Sequence, residues 1–461
     1  MSYPELSEAE RFPLLTPAGR KLLHALREDP HAPRWHMPSG EQLDSAGLEQ
    51  VRAFARELDT ATSPTAVNLP AWLPAFVDRC LEEVPFYRRR CSPGAPFHAI
   101  PSCSRADLAS NPTVFVPDSE PLDKLIVYNT SGTTGHPALL PSHPVTSACG
   151  IPLLESALTP HGVNFPRGPT GVALAIVLAY PEAYTNPLVV SYLEQAGAIR
   201  VNLLSEGWRQ PGDCRAFLNR WPAPVVLGDP ISLEELTRVG LSRAPRAIIS
   251  CTLTLTDALA ADVGAHFGCP VLDVYALTEA GAVAVKGPYG HAILAHDVHV
   301  EILDEHDEPC PTGVRGEVTL TGGRNPFAPL LRYRTGDFAS LEWHDGRPVL
   351  VGLDGRPPVW FIGGDGGRVH SMEVTRALRR FPLAQYSLHQ QSDGGFRFGY
   401  RGAPDLDQLQ AMLISVLRRP NTLTVFQLPD LVCSTAKILA YRSDFRCGAN
   451  RELGELCRRD D

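Results

Sequence analysis

The sequence predicts an α/β protein: a large N-terminal domain with mainly parallel sheets and a barrel-like part, followed by a small α+β C-terminal domain. Three observations predict it. Short apolar runs, Val172 to Ala179, Val225-Val226-Leu227 and Ala247-Ile248-Ile249, alternate with helix-like stretches, the pattern of a parallel sheet. From His296 to Leu320 the period becomes two, with Val298, Val300 and Ile302 alternating with His299 and Glu301, which favours an antiparallel or barrel-like piece. At 461 residues the chain is also too long for one compact core.

Taken in order, residues 1–90 read as a largely helical lead-in. Phe76, Val77, Cys80, Leu81 and Val84 approximate helical spacing within Trp72 to Arg90. Leu125 to Tyr128 begins the strands, and Val189 to Ala196 and Ser232 to Val239 read as helices between them. The segment Gly352 to Pro358 gathers glycines and prolines and reads as a hinge, dividing 1–351 from 359–461. Beyond it come a helix (Met372 to Arg380), a strand (Arg397 to Tyr400), a second helix (Leu406 to Leu417) and a strand (Thr424 to Gln427).

Composition narrows the function. A formal net charge of −9 argues against a nucleic-acid partner, and Arg88-Arg89-Arg90 reads as a solvated helix end. The cysteines are odd in number and scattered, as reduced thiols of a cytoplasmic protein would be. No basic-then-apolar leader opens the chain, and no apolar run approaches the roughly 18 residues of a membrane span. The expected partners are small molecules. The oligomeric state is left open, a homodimer included.

Three segments carry chemistry. Thr130-Ser131-Gly132-Thr133-Thr134-Gly135 follows a predicted strand, and its hydroxyls, glycines and N–H groups suit close approach to phosphate, although a surface turn has the same composition. Tyr275-Ala276-Leu277-Thr278-Glu279 ends an apolar run with a carboxylate that could hold Mg²⁺, or it opens a helix. Tyr333-Arg334-Thr335-Gly336-Asp337 places a carboxylate just after a tight turn, suited to ribose hydroxyls, or a capped turn.

In this order and separation the three segments resemble the adenylate-forming ligases of the phenylacetate–CoA ligase type. Val84 to Arg90, Ile100-Pro101, Arg105-Ala106-Asp107-Leu108 and Gly313 to Glu317 extend the resemblance. It implies an adenylation domain with a mobile C-terminal domain, and a reaction using ATP and Mg²⁺ with coenzyme A as the expected acceptor. It also implies residue roles. Lys437, Glu279 and Thr134 would act in catalysis, with Glu279 on Mg²⁺. The nucleotide would lie against Thr130 to Gly135, Tyr275, Thr278, Asp337 and Arg356, and the acid against Tyr180, Tyr184, Asp229 and Ala276.

The chain departs from the pattern at several points. Ala436 stands where a glycine precedes the lysine, His136 where a lysine is frequent, and Ala276 where a glycine is usual, which takes volume from the acid pocket. In the hinge the arginine is displaced to Arg356 and an acid pair is broken. The implied substrate is an aryl or arylalkanoic acid. The alternatives are an ATP-dependent diazotase activating nitrite for attack by an aromatic amine, an amide synthetase, and a non-catalytic nucleotide-binding regulator. His291, His296, His299, His306 and Cys310 match no zinc ligand spacing, and a solvated strand face explains their alternation.

Overall fold

The structure, a computed structural model, describes residues 6–38, 40–60, 69–129, 139–181, 183–294, 297–355, 359–429 and 440–445. The chain divides into two compact units: Met1–Thr254 with Phe267–Arg356, and Leu255–His266 with Pro357–Asp461. No described helix is long and apolar enough to cross a membrane.

In the larger unit, helices α1 (Glu8–Arg11), α2 (Pro17–Arg27), α3 (Ser45–Thr60), α4 (Leu73–Glu83) and α5 (Pro85–Arg88) lead in. In α2, Thr16 accepts the Gly19 N–H as cap, Pro17 occupies the first turn, where no N–H is needed, and Leu22, Leu23 and Leu26 bury one face. There follow β1 (Cys103–Ser104), α6 (Arg105–Ser110), β2 (Ile126–Asn129), β3 (Leu139–Ser142), α7 (Pro144–Ala148) and α8 (Gly150–Leu158). The main sheet is built from β4 (Val172–Leu178), β5 (Asn186–Val190), β6 (Ala196–Asn202), β7 (Val225–Gly228), β8 (Ala247–Ser250) and β9 (Val271–Leu277). Helices α9 (Asp213–Arg220), α10 (Pro230–Val239) and α11 (Asp257–Phe267) lie between its later strands in sequence. The remaining strands are β10 (Gly281–Lys286), β11 (His291–Ile293), β12 (Val298–Leu303), β13 (Arg315–Gly322), β14 (Leu330–His344) and β15 (Arg347–Gly355).

The strand order is β12-β13-β14-β15-β11-β10-β9-β8-β7-β4-β6-β5, with β1 beside β14. From β6 through β4, β7 and β8 to β9 the strands are parallel. From β9 to β12 they are antiparallel. A parallel sheet needs crossover connections, and buried strands such as Ala247-Ile248-Ile249-Ser250 are apolar almost throughout. The antiparallel half curls. Four strand spacings separate β9 from β14 along the sheet, about 19 Å if it were flat, yet the Tyr275 hydroxyl on β9 donates to Asp337 Oδ2 on β14 at 2.7 Å. Inside the curl lie Val283, Val318, Leu320, Leu331 and Leu350, together with Val77 and Leu81 from α4.

The stretch Val189 to Ala196, expected as helix, is instead the end of β5, a short 3₁₀ turn (Ser191–Leu193) and the start of β6. Neighbouring Val189 and Val190 favour extended backbone. Glu194 and Gln195, with φ of 54° and 67°, reverse the chain into an antiparallel pair. The expected hinge is strand through Gly355, where Gly355 pairs with Asp337, and Arg356 to Pro358 lie outside the described residues. Leu255–His266, expected in the N-terminal domain, groups with the C-terminal unit.

That unit contains β16 (Trp360–Ile362), β17 (Arg368–His370), α12 (Ser371–Leu378), β18 (Leu383–Gln390), β19 (Phe396–Gly402), α13 (Leu406–Val416), β20 (Leu423–Gln427) and β21 (Tyr441–Ser443). Its sheet order is β20-β19-β18-β21, and Leu378, Leu388, Phe398, Leu409 and Leu413 form its core. The glycine cluster Gly363 to Gly367 is the turn between β16 and β17. Its amides are spent internally: Gly364 N–H donates to Leu417 O at 3.1 Å and Gly366 N–H to Gly363 O at 2.9 Å. A Cβ on Gly364 would overlap the Arg419 carbonyl, which is backbone and cannot swing aside. Gly364→Ala is therefore expected to lower stability by about 1–3 kcal/mol, measured by urea unfolding. An unchanged midpoint would contradict the packing.

Candidate functional site

The site is assembled where β9 turns into β10. Strand β9 ends at Leu277, residues 278–280 form a turn, and Gly281 opens β10 with φ of 68°. Thr278-Glu279 thus joins two antiparallel strands and does not begin a helix. Thr278 is exposed. Glu279 points inward, 4% exposed, and its Oε1 accepts the Tyr333 hydroxyl at 3.1 Å. Arg105 brings its guanidinium to 3.8 Å from the same oxygen. Arg105 is fixed there because β1 pairs in parallel with β14, placing Cys103 opposite Tyr333. A capping box between Ser104 and Asp107 then starts α6 at Arg105.

A second arginine holds the turn itself. Arg324, 5% exposed at its side chain, forks onto Asp297 at 2.9 and 2.8 Å. Its remaining nitrogen donates to the carbonyls of Ala280 (2.5 Å) and Ala282 (3.0 Å). The turn carrying Glu279 is clamped from behind by a buried, hydrogen-bonded ion pair.

Asp337 lies in the middle of β14 and not after a tight turn. The strand is irregular there: Arg332 and Gly336 have φ of 49° and 79°, and the pairing with β13 slips twice. These are bulges, which re-aim side chains. The Arg334 guanidinium binds Glu317 (2.7 Å) and Asp307 (2.6 Å), and Glu317 also accepts the Gly336 N–H at 2.9 Å. Asp337 is half-buried but its carboxyl is enclosed. Burial pushes the group up to about 6, the Tyr275 hydrogen bond opposes that rise, and the neighbouring Asp354, Glu279 and Glu317 reinforce it. A Cβ on Gly355 would come within 3.2 Å of Asp337 Oδ1, so the glycine keeps that oxygen's surroundings open.

Among the residues expected against the acid, Asp229 caps α10. Its Oδ1 accepts the N–H groups of Ile231 (2.9 Å) and Ser232 (3.0 Å), and its Oδ2 accepts the Ser232 hydroxyl (2.9 Å). Tyr180 also bonds to Asp229, and burial first, then that carboxylate, raise the phenol's pKa. Ala276 is half-buried on β9 opposite Ala282. Tyr184 is exposed, with the Arg200 guanidinium 4.6 Å from its ring centre. The structure thus brings Tyr275, Glu279 and Asp337 together, and Tyr180 with Asp229. Thr130, Ser131, Gly132, Thr133, Thr134, Gly135, Arg356 and Lys437 lie outside the described residues.

The histidine stretch is not one solvated face. His291 is buried and faces Asp273 at 3.4 Å. His299 packs edge-on to Phe97, and burial pushes it down to about 4. His306 is exposed and His296 lies outside the described residues. Among the described residues no three His, Cys, Asp or Glu side chains gather as a metal-holding group.

Comparison with known proteins bears on the fold. No family model matches the sequence. A stretch of 256 residues is 23% identical to Protein CapK of Staphylococcus aureus, covering 54% of this chain and 55% of CapK. Another of 184 residues is 29% identical to a linear gramicidin synthase protein of Brevibacillus parabrevis, covering 33% of this chain and 4% of that protein. The chain thus spans about half of CapK and a small part of the synthase. Among solved structures, 2-hydroxyisobutyryl-CoA ligase in the postadenylation state with R3-HIB-AMP superposes with a TM-score of 0.57 at 14% identity, over 88% of this chain and 92% of that one. The same enzyme in an open conformation with 2-HIB-AMP and CoA gives 0.52 at 15% identity, over 82% and 92%. The chain has the adenylate-forming ligase fold.

The sequence motifs point to Glu279 and Asp337 as candidates but not to the groups that hold them. Arg105 stood in a matching string without a role, and Arg324, Asp297 and Glu317 became visible only through their contacts. Removing one partner of a buried ion pair costs about 3–5 kcal/mol. Arg324→Gln is expected to lower stability by that order in chemical unfolding, and a loss below about 1 kcal/mol, the range of an exposed pair, would show that the clamp does not hold the turn. Asp337 makes the opposite prediction. Its folded pKa of about 6 exceeds the unfolded 3.8, so stability is full below 3.8 and falls as pH rises towards 6. Above that, the cost is about 3 kcal/mol. Asp337→Asn should thus raise the melting temperature at pH 8 and leave it unchanged at pH 3.5. Equal melting temperatures at pH 8 would contradict this.

Proposed function

We propose that this chain uses ATP to convert an aryl or arylalkanoic acid into an acyl adenylate and passes the acyl group to an acceptor, coenzyme A. The observation that supports this most is the pair of enclosed carboxylates, Asp337 and Glu279. Each is bound by a tyrosine hydroxyl across the curled sheet, on a fold shared with a ligase crystallised with an acyl-AMP. Asp337 accepts ribose hydroxyls, and its ionised form is the acceptor, so nucleotide affinity falls as pH drops through about 6.

Magnesium fits the donor chemistry. It takes hard oxygen ligands, and one or two carboxylates suffice when phosphate oxygens and waters complete the shell. Glu279 would be the protein ligand, and the ion would neutralise developing phosphate charge. The residues divide the remaining work. Tyr333 and Arg105 hold the Glu279 carboxylate in one orientation, and the Arg324–Asp297 clamp keeps its turn from yielding. The Thr130 to Gly135 segment donates to the phosphates. Lys437 supplies an ammonium that stabilises the transition state of adenylate formation more than bound substrate. A carboxylate oxygen attacks the α-phosphorus, pyrophosphate leaves, and the carbonyl carbon becomes open to the acceptor.

The test is acid-dependent exchange of labelled pyrophosphate into ATP, run with a panel of aryl acids and with nitrite plus an aromatic amine. Exchange with an aryl acid and formation of its thioester are expected. Diazo product from nitrite would move the chain to diazotisation, and nucleotide binding without any exchange would make it a regulator. Lys437→Ala should cut adenylate formation by about 10²-fold or more while ATP affinity and transfer from supplied acyl adenylate persist. Equal loss of both half-reactions would remove Lys437 from its assigned role.

A further inference from the structure

The acid-binding side holds a cation that the adenylation chemistry does not use. Arg200 lies in β6, inside the sheet, between β4 and β5. Directly across the strands it is in register with Ile176 on β4 and Asn186 on β5, and the row continues through Leu227 on β7 to Ile249 on β8. Residues in register point to the same face, so Arg200 is a single charge in a row that is otherwise mostly apolar. Ile176, Leu188, Leu227 and Ala276 are only half-buried on that face. That face is therefore not sealed along its whole length.

A guanidinium against apolar surface is costly unless something compensates it. It stands over the Tyr184 ring, 4.6 Å away, and a cation–π contact at an exposed ring contributes only about 0.5–1 kcal/mol. No carboxylate among the described residues pairs with it. Two acids share its surroundings and are already engaged. Asp229 and Asp273 push the Cys251 thiol up while Arg200 pulls it down. Asp229 spends its oxygens on the first amides of α10, on Ser232 and on Tyr180. Asp273 faces His291. The planar fork of Arg200 matches a carboxylate or another oxyanion.

We propose that Arg200 is a specificity-determining residue and that the substrate carries, besides the carboxylate that is adenylated, a second anionic group held by its guanidinium. This rests on the adenylation reading for the identity of the reacting end, while the selectivity can be measured without turnover. The experiment is calorimetric binding of benzoate, terephthalate, phenylacetate and 4-carboxyphenylacetate in the presence of AMP, to the wild type and to Arg200→Met and Arg200→Lys. The wild type should bind each dianion about tenfold or more tighter than its monoanionic partner. Arg200→Met should abolish that preference, with AMP affinity and melting temperature as folding controls, and Arg200→Lys should retain part of it. Wild-type preference for the monoanions, or a dianion preference that survives Arg200→Met, would overturn the inference. A preference that depends on Arg200 in a protein that never exchanges pyrophosphate would sustain the assignment and sink the adenylation reading instead.

Discussion

The hydrogen bond from Tyr275 to Asp337 sets the constraint on which the larger unit depends. It joins residues that lie four strand spacings apart along the sheet, and it can form only if the antiparallel half curls. The curl in turn brings Tyr333 to Glu279 and Arg105 to both. It also encloses the apolar cluster of Val283, Val318 and Leu331. The bulges around Arg332 and Gly336 belong to the same geometry, because a long strand such as β14 bends where its pairing slips. One curvature therefore makes both the core of the antiparallel half and the meeting point of the two carboxylates.

That meeting point works against stability. Asp337 lies within electrostatic range of Asp354, Glu279 and Glu317, in surroundings that already disfavour charge. Arginines surround the cluster and offset part of the cost: Arg334 on Glu317 and Asp307, Arg105 beside Glu279, Arg324 behind its turn. Each of the three is engaged with a partner other than Asp337. A protein that needed only to fold would neutralise that position with asparagine. Keeping the acid makes sense if a ligand with hydroxyl donors, and a cation near Glu279, supply what the protein withholds.

Much of the fold was legible because strand and helix periodicity is local. The runs at Val172, Val225 and Ala247 are strands, and Ser232 to Val239 lies within α10. Val189 to Ala196 escaped the pattern because so short a mixed stretch, Val-Val-Ser-Tyr-Leu-Glu-Gln-Ala, carries no clear period, and the two left-handed residues that decide the outcome, Glu194 and Gln195, have no sequence signature of their own. Asp337 reads as following a turn because Thr335-Gly336 looks like one. The pairing partners on β13 that turn it into a bulged strand lie about twenty residues earlier. Likewise Arg324 bonds to the Glu279 turn and Asp297 holds Arg324, both from other segments, and no spacing rule within a motif reaches them.

Arg200 shows the same limit from the other side. Motif reading looks for residues that a reaction mechanism requires, and such residues recur wherever the mechanism does. A residue that selects among substrates has no such motif. It is found by asking which charge on a reachable face has no counter-charge. Several buried and half-buried arginines of the larger unit can be compared on that question. Arg324, Arg334 and Arg105 each face a carboxylate, and the nearly buried Arg332 lies 3.5 Å from Glu301. Arg200 faces an aromatic ring at the end of an apolar row. The arginines already paired support the architecture and the carboxylates, and Arg200, which has no carboxylate partner among the described residues, is the one proposed to read a ligand.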